Sequence, residues 1–103
     1  MMLSFIYNNI SYEGYTVEDA KDAGVPDDVI DQAIVKIKWD KIRIRRDFLI
    51  KDTDWTQVSD VPLTEDQKAE CSSYRQTLRN IPQDYSNPDD VIWPKRPAFL
   101  ASS

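Results

Sequence analysis

Apolar residues follow two periods along the chain, first about two and then about 3.6. Leu3, Phe5 and Tyr7, then Ile10 and Tyr12, alternate with polar neighbours around Asn8-Asn9. Asn tolerates the positive φ angles of a tight two-residue turn, so the segment predicts a β-hairpin with Tyr7 opposite Ile10 and Phe5 opposite Tyr12. On that register Leu3, Phe5, Tyr7, Ile10 and Tyr12 share one face, and Ser4, Ser11 and Glu13 the other. A two-stranded ribbon is marginal in water, so the apolar face needs a cover. The chain's own helices are the favoured cover, and strand addition by a partner is the alternative.

The pattern then turns helical. Thr16 caps a short helix to about Ala23, with Glu18 and Asp19 in its first turn. Gly24 suits the left-handed position after a helix, and Pro26 suits the first turn of the next. From Asp27 to about Lys51 the chain reads as one long helix with Ile30, Ile34, Ile37, Ile44 and Phe48 on one stripe. A strand competes over residues 35–46, because Ile37-Lys38-Trp39 and Ile42-Arg43-Ile44-Arg45 alternate with period two. Helix is preferred, since no turn residue interrupts 25 positions.

Val35, Trp39, Ile42 and Leu49 make a second apolar stripe, wider than one antiparallel neighbour covers. Covering a Trp and two aliphatics contributes on the order of 5 kcal/mol before entropy is subtracted. The N-terminal hairpin, the Ile92-Trp93-Pro94 tail and another chain are the candidate covers. This surplus points to a binding protein.

Residues 52–63 read as a linker, with Trp55 packed beneath the helices. Thr64-Glu65-Asp66-Gln67 is a capping box, in which hydroxyl and amide exchange hydrogen bonds with the first-turn backbone. Cys71, Tyr74, Leu78 and Ile81 then line one helical face. Pro82 predicts a helix over 64–81 that stops near Asn80. Residues 82–103 read as a loop and an extended tail around Trp93-Pro94 and Pro97. The expected fold is mainly α with a small N-terminal β-hairpin (α+β). Short, long and capped helices form an antiparallel helical hairpin in a single domain of 1–103.

Composition narrows the chemistry. The 103 residues are 41% hydrophobic and 30% charged, as in a folded domain rather than a disordered one. Two glycines leave no phosphate-cradling loop, and no histidine removes the commonest general base and metal ligand. The lone Cys71 has no imidazole to activate it and no partner for an internal disulfide. Asp52, Asp54 and Asp60 fail as a calcium loop, because Gln57 stands in place of the glycine and Leu63 in place of the bidentate Glu. No catalytic, cofactor-binding or metal residue is expected, and no enzyme activity. With no secretory leader or bilayer-length apolar run, a reducing cytoplasm is the expected setting.

Charge is uneven beneath the net −5. Residues 1–34 carry one lysine against seven acids, 35–51 seven bases against two acids, and 52–103 five bases against nine acids. A basic centre between acidic flanks reads first as neutralisation within the fold or across a homo-oligomer. Nucleic acid on Lys36, Lys38, Lys41, Arg43 and Arg45 is the weaker reading, since the net field repels phosphate.

Five pieces in order carry a family resemblance: Arg43, Arg46 and Leu49-Ile50; Thr53-Asp54-Trp55-Thr56-Gln57; Asp60, Pro62-Leu63-Thr64 and Gln67-Lys68-Ala69; Tyr74-Arg75-Gln76, Leu78-Arg79 and Ile81-Pro82; and Trp93-Pro94 with Pro97. The chain resembles the small bacteriophage tail assembly chaperones over roughly half its length. Cys71 stands where members tend to carry Trp, and Asn80 where an acid is usual. The resemblance implies a non-enzymatic protein that binds a tail or tail-fibre polypeptide during virion assembly, in the cytoplasm of the infected bacterial host. A structural accessory of tail, fibre or baseplate is the alternative, and a host-directed inhibitor or nucleic-acid binder a further one. The expected contact residues are Val35, Lys38, Trp39, Ile42, Arg43, Arg45, Trp93 and Pro94.

Overall fold

The structure is a computed structural model that describes residues 1–100. The end of the segment read as loop and tail, residues 101–103, lies outside the described residues. The chain groups into two compact units, Met1–Lys41 and Ile42–Ser103.

In the first unit, β1 (Leu3–Tyr7) and β2 (Ile10–Tyr15) form a two-stranded antiparallel sheet. Its register is the predicted one, Tyr7 to Ile10 and Phe5 to Tyr12, with Asn8 and Asn9 at φ 51° and 63°. A bulge between Leu3 and Ser4 was not legible in the alternation. Leu3 pairs with Tyr15 while Ser4 pairs with Glu13, and Gly14, at φ +69°, takes up the extra residue. Glycine reaches that left-handed geometry without a Cβ penalty.

Helix α1 (Val17–Asp22) begins as read, with Thr16 Oγ1 accepting from the Asp19 N–H at 3.1 Å. Gly24, at φ +84°, turns the chain toward the next helix. Leu3, Ala20, Val25, Ile30 and Ala33 are buried together, and Phe5, Tyr7, Tyr12, Val17, Val29, Ile34 and Ile37 pack against them. The hairpin's apolar face is thus covered by the chain's own helices, although Ile10 beside the turn stays exposed. The Phe5 and Tyr12 rings stack across the strands with centroids 5.0 Å apart.

Helix α2 (Asp27–Asp52) is continuous, so the strand alternative over 35–46 is excluded. Its backbone satisfies itself locally, whereas a strand there would need a partner strand for every second residue.

In the second unit, α3 (Glu65–Asp84) starts with the predicted capping box. Gln67 N–H donates to Thr64 Oγ1 at 3.1 Å, and Thr64 N–H to Gln67 Oε1 at 2.9 Å. Cys71, Tyr74, Leu78 and Ile81 are all buried, as their spacing required. The helix does not stop near Asn80. It runs through Pro82 to Asp84. Proline's fixed φ is helical, but its nitrogen donates no bond and its ring crowds the Leu78 carbonyl one turn back, so the helix continues only where packing outweighs that cost. The buried Leu78 and Ile81 hold the turn, and Tyr85 N–H closes it on Ile81 O at 3.2 Å.

The region read as a linker carries a 3-10 turn, Asp54–Gln57, with Thr53 and Thr56 buried on either side of its start. Trp55 is 43% exposed rather than packed beneath the helices. The turn directs the short hydroxyls of Thr53 and Thr56 inward, where they bond backbone carbonyls, and leaves the indole outside. Beyond α3, residues 91–97 are irregular and Ala98–Leu100 form a 3-10 turn that buries Leu100. Extended chain was expected to Leu100, but burial of that side chain favours the turn.

Candidate binding surface

Among the described residues no group of three or more His, Cys, Asp or Glu is placed to hold a metal ion. Cys71 is a free thiol buried in the face of α3. No described helix is long and apolar enough to cross a membrane.

Arg75 is buried among apolar residues of α3. Its Nη1 donates to Ile50 O at 2.7 Å and Thr53 Oγ1 at 2.9 Å, and its Nη2 donates to Asp54 Oδ1 at 2.9 Å. One planar guanidinium therefore ties α3 to the end of α2 and to the 3-10 turn after it. Thr53 Oγ1 also donates back to Leu49 O and Ile50 O. Sequence reading met Arg75 only inside a motif. Its burial was invisible because an arginine next to an apolar stripe ordinarily points to water.

The second unit exposes apolar side chains on α2 that the stripe pattern had assigned to the core. Ile44 is 71% and Phe48 66% exposed, whereas Ile42, Leu49 and Ile50 are half-buried. Residues 44 and 49, or 48 and 53, lie about 140° apart around a helix. The unit buries the side carrying Thr53 and Ile50 O, so Ile44 and Phe48 are left outside. Phe48, Lys51 and Asp52 line a shallow depression there.

The expected contact residues divide between the units. Val35 is 43% exposed in the first, where Lys38 and Trp39 are half-buried. In the second, Arg43 and Arg45 are exposed, and Ile42, Trp93 and Pro94 are half-buried. Arg45 and Trp93 are brought together, with the guanidinium carbon 4.3 Å from the ring centroid. This cation–π contact anchors the Trp-Pro segment to α2. Arg96 adds a second anchor through Asp52, at 2.8 Å.

Residues 39–98 match the family described as phage tail assembly chaperone protein. The matched range contains Arg75 and its partners, Ile44, Phe48 and the Arg45–Trp93 pair. The chain is also similar to a protein of Chromobacterium violaceum whose solution structure is known, at 34% identity and a TM-score of 0.58. That similarity covers 95% of this chain and 100% of the other. No curated protein matches the sequence.

Proposed function

The chain belongs to the phage tail assembly chaperone family, and from that premise we propose that it binds a tail or tail-fibre polypeptide during virion assembly, by surface contact and without chemistry of its own. The single observation that carries this reading is the family match over residues 39–98, more than half of the chain. The exposed pair Ile44 and Phe48 supports it, because adjacent large apolar side chains on a helix commonly mark a contact surface. Lys51 lies one helical turn after Phe48, so the apolar pair has a basic residue at its border. Ile42, Arg43, Arg45, Trp93 and Pro94 extend this surface in the second unit. Val35, Lys38 and Trp39 are a separate contact patch in the first. The working place is the cytoplasm of the infected bacterium.

The decisive experiment is co-expression with the tail and tail-fibre proteins of the same phage. A chaperone raises the soluble yield of one of them and co-elutes with it. Indifferent yield together with the absence of any complex on gel filtration would refute the proposal. Mass spectrometry of purified virions tests the transient part of the role, since a retained structural accessory is found there and a chaperone is not.

A further inference from the structure

The exposed edge of β1 is a second feature, independent of the chaperone reading. Edge strands in natural proteins are ordinarily protected by a charge, a proline or a covering element, because their free backbone groups recruit other strands. Here the edge reads Leu3-Ser4-Phe5-Ile6-Tyr7, with neither charge nor proline and with three residues of high β-propensity.

The register identifies which groups are free. Tyr7 and Ile10 flank a two-residue turn and exchange hydrogen bonds, as do Phe5 and Tyr12 two residues further on. The intervening residues Ser4 and Ile6 therefore turn their N–H and C=O groups outward. Among the described residues no backbone partner meets them. Alongside that edge runs a groove of about 320 Å3 lined by Ser4, Phe5, Ile6, Val29, Ala33 and Lys36, together with Gln32. Ile6 is 74% exposed beside it.

We propose that the outer edge of β1 pairs with β1 of a second copy of this chain, joining two hairpins into a four-stranded antiparallel sheet. The strand is complementary to itself about Phe5. With Phe5 opposite Phe5, Ser4 of each copy faces Ile6 of the other, and all the outward backbone groups of Ser4 and Ile6 pair at once. The two Phe5 residues form the non-hydrogen-bonded centre, where side chains approach most closely, above Val29 and Ala33. Each ring enters the groove of the other copy, and each Ile6 is covered by the neighbouring strand. β1 itself carries no charged side chain, Lys36 being in the groove beside it, and salt screens the repulsion between the two net charges of −5. A two-stranded ribbon also gains most from widening, since three or more strands mark the threshold of independent stability.

The interface is short, so dissociation constants of about 10–100 µM are expected. Sedimentation velocity from about 10 µM to about 1 mM should carry the mass from 12.0 kDa toward twice that value. Amide exchange at Ser4 and Ile6 should slow over the same range, while Phe5 and Tyr7 are protected throughout. Ile6→Lys places a charge on the edge, and Ser4→Pro removes an outward N–H without touching the β1–β2 ladder. Each should raise the dissociation constant at least tenfold with the hairpin intact. If Ser4→Pro does not fold, Ile6→Lys decides alone. A wild type that stays at 12.0 kDa throughout overturns the inference. So does a dimer unaffected by Ile6→Lys, or concentration-independent exchange at Ser4 and Ile6. A monomer that captures a tail protein and loses it on Ile6→Lys would assign the edge to a foreign strand, and equally overturns pairing between copies.

Discussion

Replacing Arg75 tests how the second unit is held together. Arg75→Met keeps most of the side chain's length and apolar stem while removing the guanidinium and its hydrogen bonds to Ile50 O, Thr53 Oγ1 and Asp54 Oδ1. The bond to Thr53 Oγ1 is buried and that to Ile50 O part-buried, both are charge-assisted, and together they contribute about 2–3 kcal/mol. The Asp54 contact is worth at most about 0.5 kcal/mol, because that carboxylate is 62% exposed and screened by water. Against these stands the cost of a buried cation whose Nε has no hydrogen-bond partner, about 1 kcal/mol that the substitution relieves. The partners are not orphaned either, since Ile50 O still accepts from Thr53 N at 3.1 Å and Thr53 Oγ1 still donates to Leu49 O. Arg75→Met should therefore destabilise by about 1–2 kcal/mol, and Arg75→Ala, which also leaves a cavity, by about 3 kcal/mol. Urea unfolding followed by circular dichroism and tryptophan fluorescence should show both as lower midpoints with an unchanged slope. A neutral or stabilising Arg75→Met would refute the reasoning. It would mean that the fork gives no net stability and that packing alone joins α3 to the end of α2.

Thr64→Ala removes the hydroxyl that accepts from Gln67 N–H, while the residue 64 N–H can still donate to Gln67 Oε1, and should cost about 1 kcal/mol, seen as a thermal midpoint lower by about 4–8 °C. Gly14→Ala meets no atom within 4 Å, so its cost of about 1–2 kcal/mol should come from the positive φ alone and appear as faster amide exchange in the hairpin. Ile44→Ser and Phe48→Ser should each leave urea stability within about 0.5 kcal/mol, since both side chains already face water. They should nevertheless weaken co-elution with the tail protein. Full retention of the complex in both variants would place the contact elsewhere.

Local signals in the chain determined the strand pair, the helix starts, the hairpin register from Ser4 to the turn and the buried face of α3. A two-residue Asn turn admits one register, a Thr-x-x-Gln box marks a helix start, and a 3-4-3 apolar spacing has one inward side. These are short-range constraints, closed within a few residues, and so they can be read without knowing what lies across the core. The family was legible for a related reason, because its motifs are short local patterns at the end of α2, on the turn and cap before α3 and along α3 itself.

Tertiary packing decided which apolar residues are covered. Ile44 and Phe48 look like core by period, and Trp55 by type, yet all three face solvent, while the cation of Arg75 is enclosed. Periodicity says that a helix has an apolar side, but only the neighbours packed around it determine whether that side is filled. The continuation of α3 through Pro82 has the same origin, since burial of Leu78 and Ile81 outweighs the bond that proline cannot make.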